Sequence, residues 1–230
     1  MVPGNVQAVV FDAVGTLIHP EPAAATVYAD VGRRHGSRLT AGAIGPRFTA
    51  AFRRQEEIDL AEGLRTSEER EERRWRHIVA EVLDDVTNPA ACFHELYQHF
   101  ARPEAWRLEP EAVPVLQELA RRGLTLGLAS NCDRRLRSVA AGLSGLRLSP
   151  DLIISSEVGW RKPAPEFFAA VSRVVGLPAG RILFVGDDKQ NDYEGAAAAG
   201  LQALLLDPHG RERGLPGRIS SLTELLQNEV

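Results

Sequence analysis

Val6-Gln7-Ala8-Val9-Val10-Phe11-Asp12-Ala13-Val14-Gly15-Thr16 is the stretch that decides the fold. Its apolar run, 6–11, is too short to span a bilayer and predicts a buried strand, covered on both faces as in a parallel sheet. The run ends abruptly at Asp12. A carboxylate at the tip of a buried strand is either a turn residue or a group placed for chemistry, here as a nucleophile.

Outward from that strand the chain divides in two. Residues 18–102 contain no convincing strand and read as helices, with breaks near Gly36, at Gly45-Pro46, near Gly63 and at Asn88-Pro89. Within them, 67–76 alternates charge with i,i+4 pairs such as Glu69–Arg73 and Glu72–Arg76, which predicts a solvated helix face. Trp75, Ile78, Val79 and Val82 give the same helix its buried stripe. From Pro110 onward helix and strand alternate: strands over 124–129, 152–154, 181–185 and 201–206, helices over 111–122, from 134, over 165–175 and over 190–199. Apolar strands alternating with helices predict an α/β fold, a doubly wound parallel-sheet core. The helical segment follows the first strand, so it is expected over that strand's C-terminal end, as an all-α cap. Open α/β sheets bind ligands at those ends. The expected division is a core of 1–17 plus 103–230 and a cap of 18–102.

Composition excludes several classes. The 230 residues carry 27 Lys and Arg against 31 Asp and Glu, a net charge of −4 with no basic tail, so neither nucleic acid nor a membrane surface is an expected partner. Cys92 and Cys132 lie far apart and form no CxxC pair, which suits a reducing compartment. The N-terminal residues lack the pattern of a signal peptide, and a cytoplasmic location is expected. The histidines are scattered, with no HExxH spacing; no P-loop or GxGxxG is present, and Gly127-Leu128-Ala129-Ser130-Asn131 is not a GxSxG elbow. The sequence carries no signal of oligomeric state.

Polar residues collect at four predicted strand ends: Asp12 with Thr16; Ser130-Asn131 ahead of Asp133; Lys162; and Gly186-Asp187-Asp188 with Asp192. Each alone has a plain structural role, as turn residue, helix cap or solvated charge. All four fall on the one edge where parallel sheets do chemistry. Several carboxylates suit a hard divalent cation such as Mg2+. A hydroxyl, an amide and a lysine suit an oxyanion. A metal-held aspartate beside a phosphate pocket is what in-line attack on phosphorus requires.

Residues 11–17, Ser130-Asn131, 162–168 and 185–192, in that order and spacing, resemble the four motifs of the haloacid dehalogenase-like (HAD) hydrolase superfamily, over essentially the whole chain. Residues 130–136 and 156–163 are similar to its rhythmically-expressed-gene-like branch. The resemblance implies a Rossmann-like core with a C1 cap, a small phosphorylated metabolite as substrate, and Asp12 as nucleophile forming a covalent aspartyl intermediate. It implies Ser130, Lys162, Asn131 and Thr16 around the transferring group. Magnesium would be held by Asp12, the backbone carbonyl of Val14, Asp187 and Asp192, with Asp188 a weaker candidate.

One position departs from the pattern. The phosphatases of the superfamily carry an acid/base aspartate two residues after the nucleophile, and here that residue is Val14, expected to be buried. Loss of a positioned acid/base costs on the order of 10²–10⁴ in rate. The expectation is therefore a magnesium-dependent phosphomonoester phosphatase with weak turnover. Two alternatives stay open. The 2-haloacid dehalogenases also lack that aspartate, but they need no metal, have no Gly-Asp-Asp run and place a tyrosine at the position of Phe168. A catalytically silent binding protein of the same fold is the other.

Overall fold

The computed structural model describes residues 2–149 and 151–227. Its main sheet is parallel and six-stranded, in the order β5-β4-β1-β6-β7-β8. The strands are β1 (Ala8–Phe11), β4 (Thr125–Ser130), β5 (Asp151–Ile154), β6 (Ile182–Gly186), β7 (Gln202–Leu206) and the two-residue β8 (Arg218–Ile219). β1 lies at the centre, pairing with β4 through Phe11↔Leu128 and with β6 through Phe11↔Val185.

The period-two alternation of strand side chains sorts the two faces. Val9, Phe11, Leu183 and Val185 pack on one side against α5 (Ala112–Arg121) and α6 (Arg135–Gly142). Ala8, Val10, Ile182 and Phe184 pack on the other against α8 (Pro165–Val175) and Ala196 of α9 (Gly195–Ala198). Both faces are thus apolar and covered, so each strand reads as a continuous hydrophobic run.

Between β1 and α5 run four helices, α1 (Ala24–Arg34), α2 (Ala41–Ala61), α3 (Glu68–Val82) and α4 (Pro89–His99). They bury a hydrophobic cluster of their own, with Tyr28, Ile44, Ile78, Val82 and Leu96 at its centre. The chain enters and leaves this segment through a short antiparallel stem, β2 (Ile18–Pro20) with β3 (Trp106–Leu108). His19, beside the entrance, bonds Glu109 across the stem at 3.0 Å. A strand at 18–20 was not expected: three residues carry no periodic signal, and only a partner distant in sequence makes them a strand.

Three further expectations are corrected. Gly45-Pro46 does not break a helix, because α2 runs through it. Pro46 deprives only the carbonyl of Gly42 of its amide donor, and Gly42 is exposed to water. The helix expected over 190–199 begins instead as a wider π turn over Lys189–Glu194. Asp188 accepts the amide of Asn191 at 2.8 Å, and Asp192 accepts that of Asp188 at 3.0 Å. Lastly, the charged run 67–76 is solvated only in part. Glu69–Arg73 and Glu72–Arg76 pair at the surface at 3.4 and 2.8 Å, but Glu71 and Arg74 are buried.

Those two residues build a second tie between helices and sheet. Arg161, beyond β5, donates to Glu71 and lies 3.4 Å from Asp59, which Arg74 also binds at 2.9 Å. The Thr66 hydroxyl donates to Glu71 at 2.7 Å. Backbone bonds run alongside, Thr66 N–H to Gly159 at 3.1 Å and Arg161 N–H to Leu64 at 2.9 Å. The Arg65 guanidinium lies 4.5 Å over the Trp160 ring. Buried charges are tolerable only when paired, and removing one partner strands the other. Glu71→Gln is therefore expected to lower stability in urea by about 3 kcal/mol, whereas the surface change Glu72→Gln stays within about 0.5 kcal/mol. Equal effects would show that the cluster contributes nothing.

Candidate active site

Asp12 follows β1, and its backbone N–H donates to Val185 of β6 at 2.8 Å, which fixes the loop to the sheet. Its Oδ1 accepts from Ser130 Oγ at 3.0 Å and from Lys162 Nζ at 2.6 Å. No described residue donates to its Oδ2. The same ammonium reaches Asp192 Oδ1 at 2.5 Å and the Ala129 carbonyl at 3.4 Å. These carboxylates hold the Lys162 pKa above its ordinary value against the opposing effect of burial. Asn131 uses both ends of its amide on the backbone of Lys162, accepting its N–H at 2.7 Å and donating to its carbonyl at 3.0 Å. Asn131 therefore positions the lysine while also lining the cavity.

Asp187 stands across from Asp12 at the end of β6, its Oδ1 accepting from Thr16 Oγ1 at 3.2 Å. Thr16 is fully buried and its hydroxyl is engaged with Asp187. Two glycines make this packing possible. At Gly15, with φ +99°, a Cβ would fall 2.7 Å from the Asp187 carboxylate carbon. At Gly186 it would fall 2.5 Å from the Asp192 Cβ.

Asp12, Asp187 and Asp192 each present a carboxylate oxygen within 4.8 Å of the others. Asp187 reaches the surface, yet the protein packed around its carboxyl, and then the charge of Asp12, push it above the usual carboxylate range. Asp192 is also raised, by burial first, with Lys162 pulling it back. Acidic charge is in excess here, and the donors are all hard oxygens. That combination fits a hydrated divalent cation of the size of Mg2+. Val14, expected to be buried, is 40% exposed and lines the cavity.

The cavity measures about 390 Å³ and opens above these groups. The sheet edge supplies its polar floor, and the helices and stem supply rings, among them Tyr28, Phe48, Phe52 and Trp106.

A family model for haloacid dehalogenase-like hydrolase matches residues 6–200. The chain belongs to the haloacid dehalogenase-like hydrolase family. It is 30% identical over 206 residues to haloacid dehalogenase-like hydrolase domain-containing protein 3 of Bos taurus, covering 85% of this chain and 80% of that one. It is 28% identical over 246 residues to a phosphoserine phosphatase of Thermus thermophilus, covering 95% and 97%. Among solved structures, the L-2-haloacid dehalogenase RSc1362 superposes with a TM-score of 0.74 at 24% identity, over 96% and 97% of the two chains, a likeness of fold.

Of the residues that the HAD motifs single out, the structure gathers Asp12, Ser130, Asn131, Lys162, Asp187 and Asp192 around one cavity. Asp188 lines it too, but its Oδ1 caps the following turn. Motif spacing gave no sign of Glu56 or the aromatic lining, and Arg135 and Arg161, though within the stretches 130–136 and 156–163, were not singled out. Glu56 and most of the rings lie on helices outside the four motifs, and a single sequence does not disclose which helical side chains face inward. Asp133, expected as a helix cap, does accept the Arg135 amide at 3.0 Å, and it also pairs with that arginine's guanidinium at 2.7 Å.

Cys132 lines the cavity and is half-buried, and burial, aided by the charge of Asp133, pushes its thiol up to about 12. Burial, with Glu95 nearby, raises Cys92 to about 11. Only the thiolate reacts, and at pH 8 a thiol of pKa 12 is about one part in 10⁴ ionised. Both cysteines should thus alkylate with iodoacetamide at pH 8 at least ~100-fold more slowly in the folded protein than in urea. Comparable rates would place them in ordinary water.

Proposed function

We propose that this chain is a magnesium-dependent phosphomonoester hydrolase acting through an aspartyl-phosphate on Asp12, with its turnover limited by Val14. The observation that carries this is the state of the Asp12 carboxylate. Oδ1 is held by Ser130 and Lys162, while Oδ2 accepts nothing from the described residues, and Asp12 lines the cavity.

Oδ2 attacks phosphorus, and the bond to the leaving oxygen breaks with its electron pair. Ser130 Oγ and Lys162 Nζ, already converging on this point, donate to the phosphoryl oxygens as charge accumulates there. Asn131 fixes Lys162, and Thr16 fixes Asp187. Magnesium would be held by Asp12, the Val14 carbonyl, Asp187 and Asp192, and when bound would neutralise phosphoryl charge. Water then attacks the acyl-phosphate, both its protons remaining with the phosphate released as H2PO4⁻, and Asp12 returns to carboxylate. Val14 can neither protonate the leaving group nor activate that water. The helical segment serves as a cap that keeps bulk water from the acyl-phosphate, over a small-molecule substrate. The named phosphatase among the relatives supports this assignment.

With p-nitrophenyl phosphate, whose leaving group needs little proton help, Mg2+-dependent release is expected, lost with chelator and with Asp12→Asn. If no such release occurs, phosphatase activity is excluded. Val14 also favours a second assignment, dehalogenation. Chloride release from L-2-chloropropionate in chelator would establish it, and silence in both assays would leave a binding protein.

Val14→Asp tests the account of turnover. The position is 40% exposed, so a carboxylate there stays hydrated. Turnover of alkyl phosphates should rise on the order of 10²-fold or more. The unmodified protein is expected to release p-nitrophenolate in a burst before a slow steady state, and this burst should shrink in the variant. Unchanged rates would mean that another step is limiting.

A further inference from the structure

The cavity walls say more about the substrate than the motifs do. Six aromatic rings line the cavity: Tyr28, Phe48, Phe52, Trp75, Phe100 and Trp106. They form one contiguous surface rather than isolated contacts. Phe48 lies 5.4 Å from Tyr28 edge-on, 6.1 Å from Phe52 and 6.4 Å from Trp75, while Phe100 joins Tyr28 at 6.2 Å and Trp106 at 5.9 Å. Such a surface recognises a flat apolar body by burial and by offset or edge-to-face ring contacts.

The charges on the same walls are closed to a second anion. Three cations reach the cavity, and each is already paired with protein carboxylates. Lys162 holds Asp12 and Asp192, Arg135 pairs with Asp133 at 2.7 Å, and Arg161 is paired with Glu71 and Asp59. The Arg135 guanidinium is further covered by the Tyr97 ring at 3.6 Å. The helices add one carboxyl to the lining, Glu56, whose pKa is raised by burial and then by the charge of Asp188. A carboxylate or second phosphate on the substrate would meet no free cation and one more acid.

Resting on the phosphatase assignment above, we propose that the substrate is an aryl phosphate: the phosphomonoester of a flat, uncharged aromatic alcohol with no second anionic group. The ring lies on the Phe48–Phe52–Trp75 surface, and the phosphoryl group lies on Ser130 and Lys162. The P–O(aryl) bond breaks with its electron pair on a phenolate oxygen, which takes its proton from water after release. This leaving group is the kind that a site with valine at position 14 can expel. The missing acid and the aromatic lining are then two aspects of one specificity.

The test uses non-hydrolysable probes as competitive inhibitors of p-nitrophenyl phosphate hydrolysis by the full chain with Mg2+. Phenylphosphonate is expected to inhibit at least tenfold more tightly than methylphosphonate. A carboxylate para to the phosphonate should cost at least tenfold, and Glu56→Gln should recover several-fold of that loss. Phe52→Leu, which keeps an apolar side chain but removes the ring, should narrow the phenyl-to-methyl preference. If p-nitrophenyl phosphate is hydrolysed but phenylphosphonate inhibits no better than methylphosphonate, or the para-carboxylate improves inhibition, the aryl assignment is overturned while phosphatase activity stands. If there is no hydrolysis to inhibit, it is the phosphatase assignment that has failed.

Discussion

The ammonium of Lys162 is 3% exposed, between Asp12 at 2.6 Å and Asp192 at 2.5 Å. A cation so far from water persists only with partners of opposite charge and good geometry. Its partners come from separate places in the chain: the loop after β1, the turn after β6, and Asn131 at the end of β4, which grips the lysine backbone. One buried charge thus locks three strand ends into register at the edge of the sheet. The surrounding details answer to it. The widened turn over Lys189–Glu194 brings Asp192 within reach, and Gly186 leaves room for its side chain. The acid left in excess is what a divalent cation would balance.

Among the attachments that hold the helices above that edge, two are unlike in kind. The stem of β2 and β3 is backbone pairing near the surface. The Arg161–Asp59–Glu71–Arg74 cluster is buried and ionic. Desolvating four charged groups is expensive, and their mutual pairing offsets that cost only with the helices seated on the sheet. The cluster therefore favours one placement of the helices over others, beyond what their own apolar core supplies. It also neutralises an arginine that would otherwise present a free cation to the cavity.

Much of this protein was legible in its sequence. The run 6–11 ending on Asp12, and the alternation of apolar strands and helices after Pro110, required a parallel sheet with both faces covered, since only that arrangement buries such runs. Parallel sheets place their loops on a defined edge, so Asp12, Ser130, Lys162 and Asp187 were expected to meet there, and they do. The absence of strand patterning between the first strand and residue 102 also marked that stretch as mainly helical, and α1 to α4 lie there. What escaped were short pieces whose structure depends on a distant partner: β2, which exists through Trp106–Leu108, and the burial of Glu71 and Arg74 in a stretch whose local charge pattern argues for solvent.

The sequence by itself determined the strand ends and the chemistry they carry, because period-two burial and chain connectivity are local properties that fix which residues reach the edge. The tertiary structure alone decided what surrounds them. Helical periodicity shows that Phe48, Phe52, Trp75 and Glu56 lie on helices, but which faces meet over the sheet depends on how four helices pack and where the ionic cluster seats them. Asp12 was visible as the end of a strand. That its Oδ1 is held by two donors follows from contacts with residues more than 100 positions away, and its ceiling of aromatic rings from the packing of separate helices.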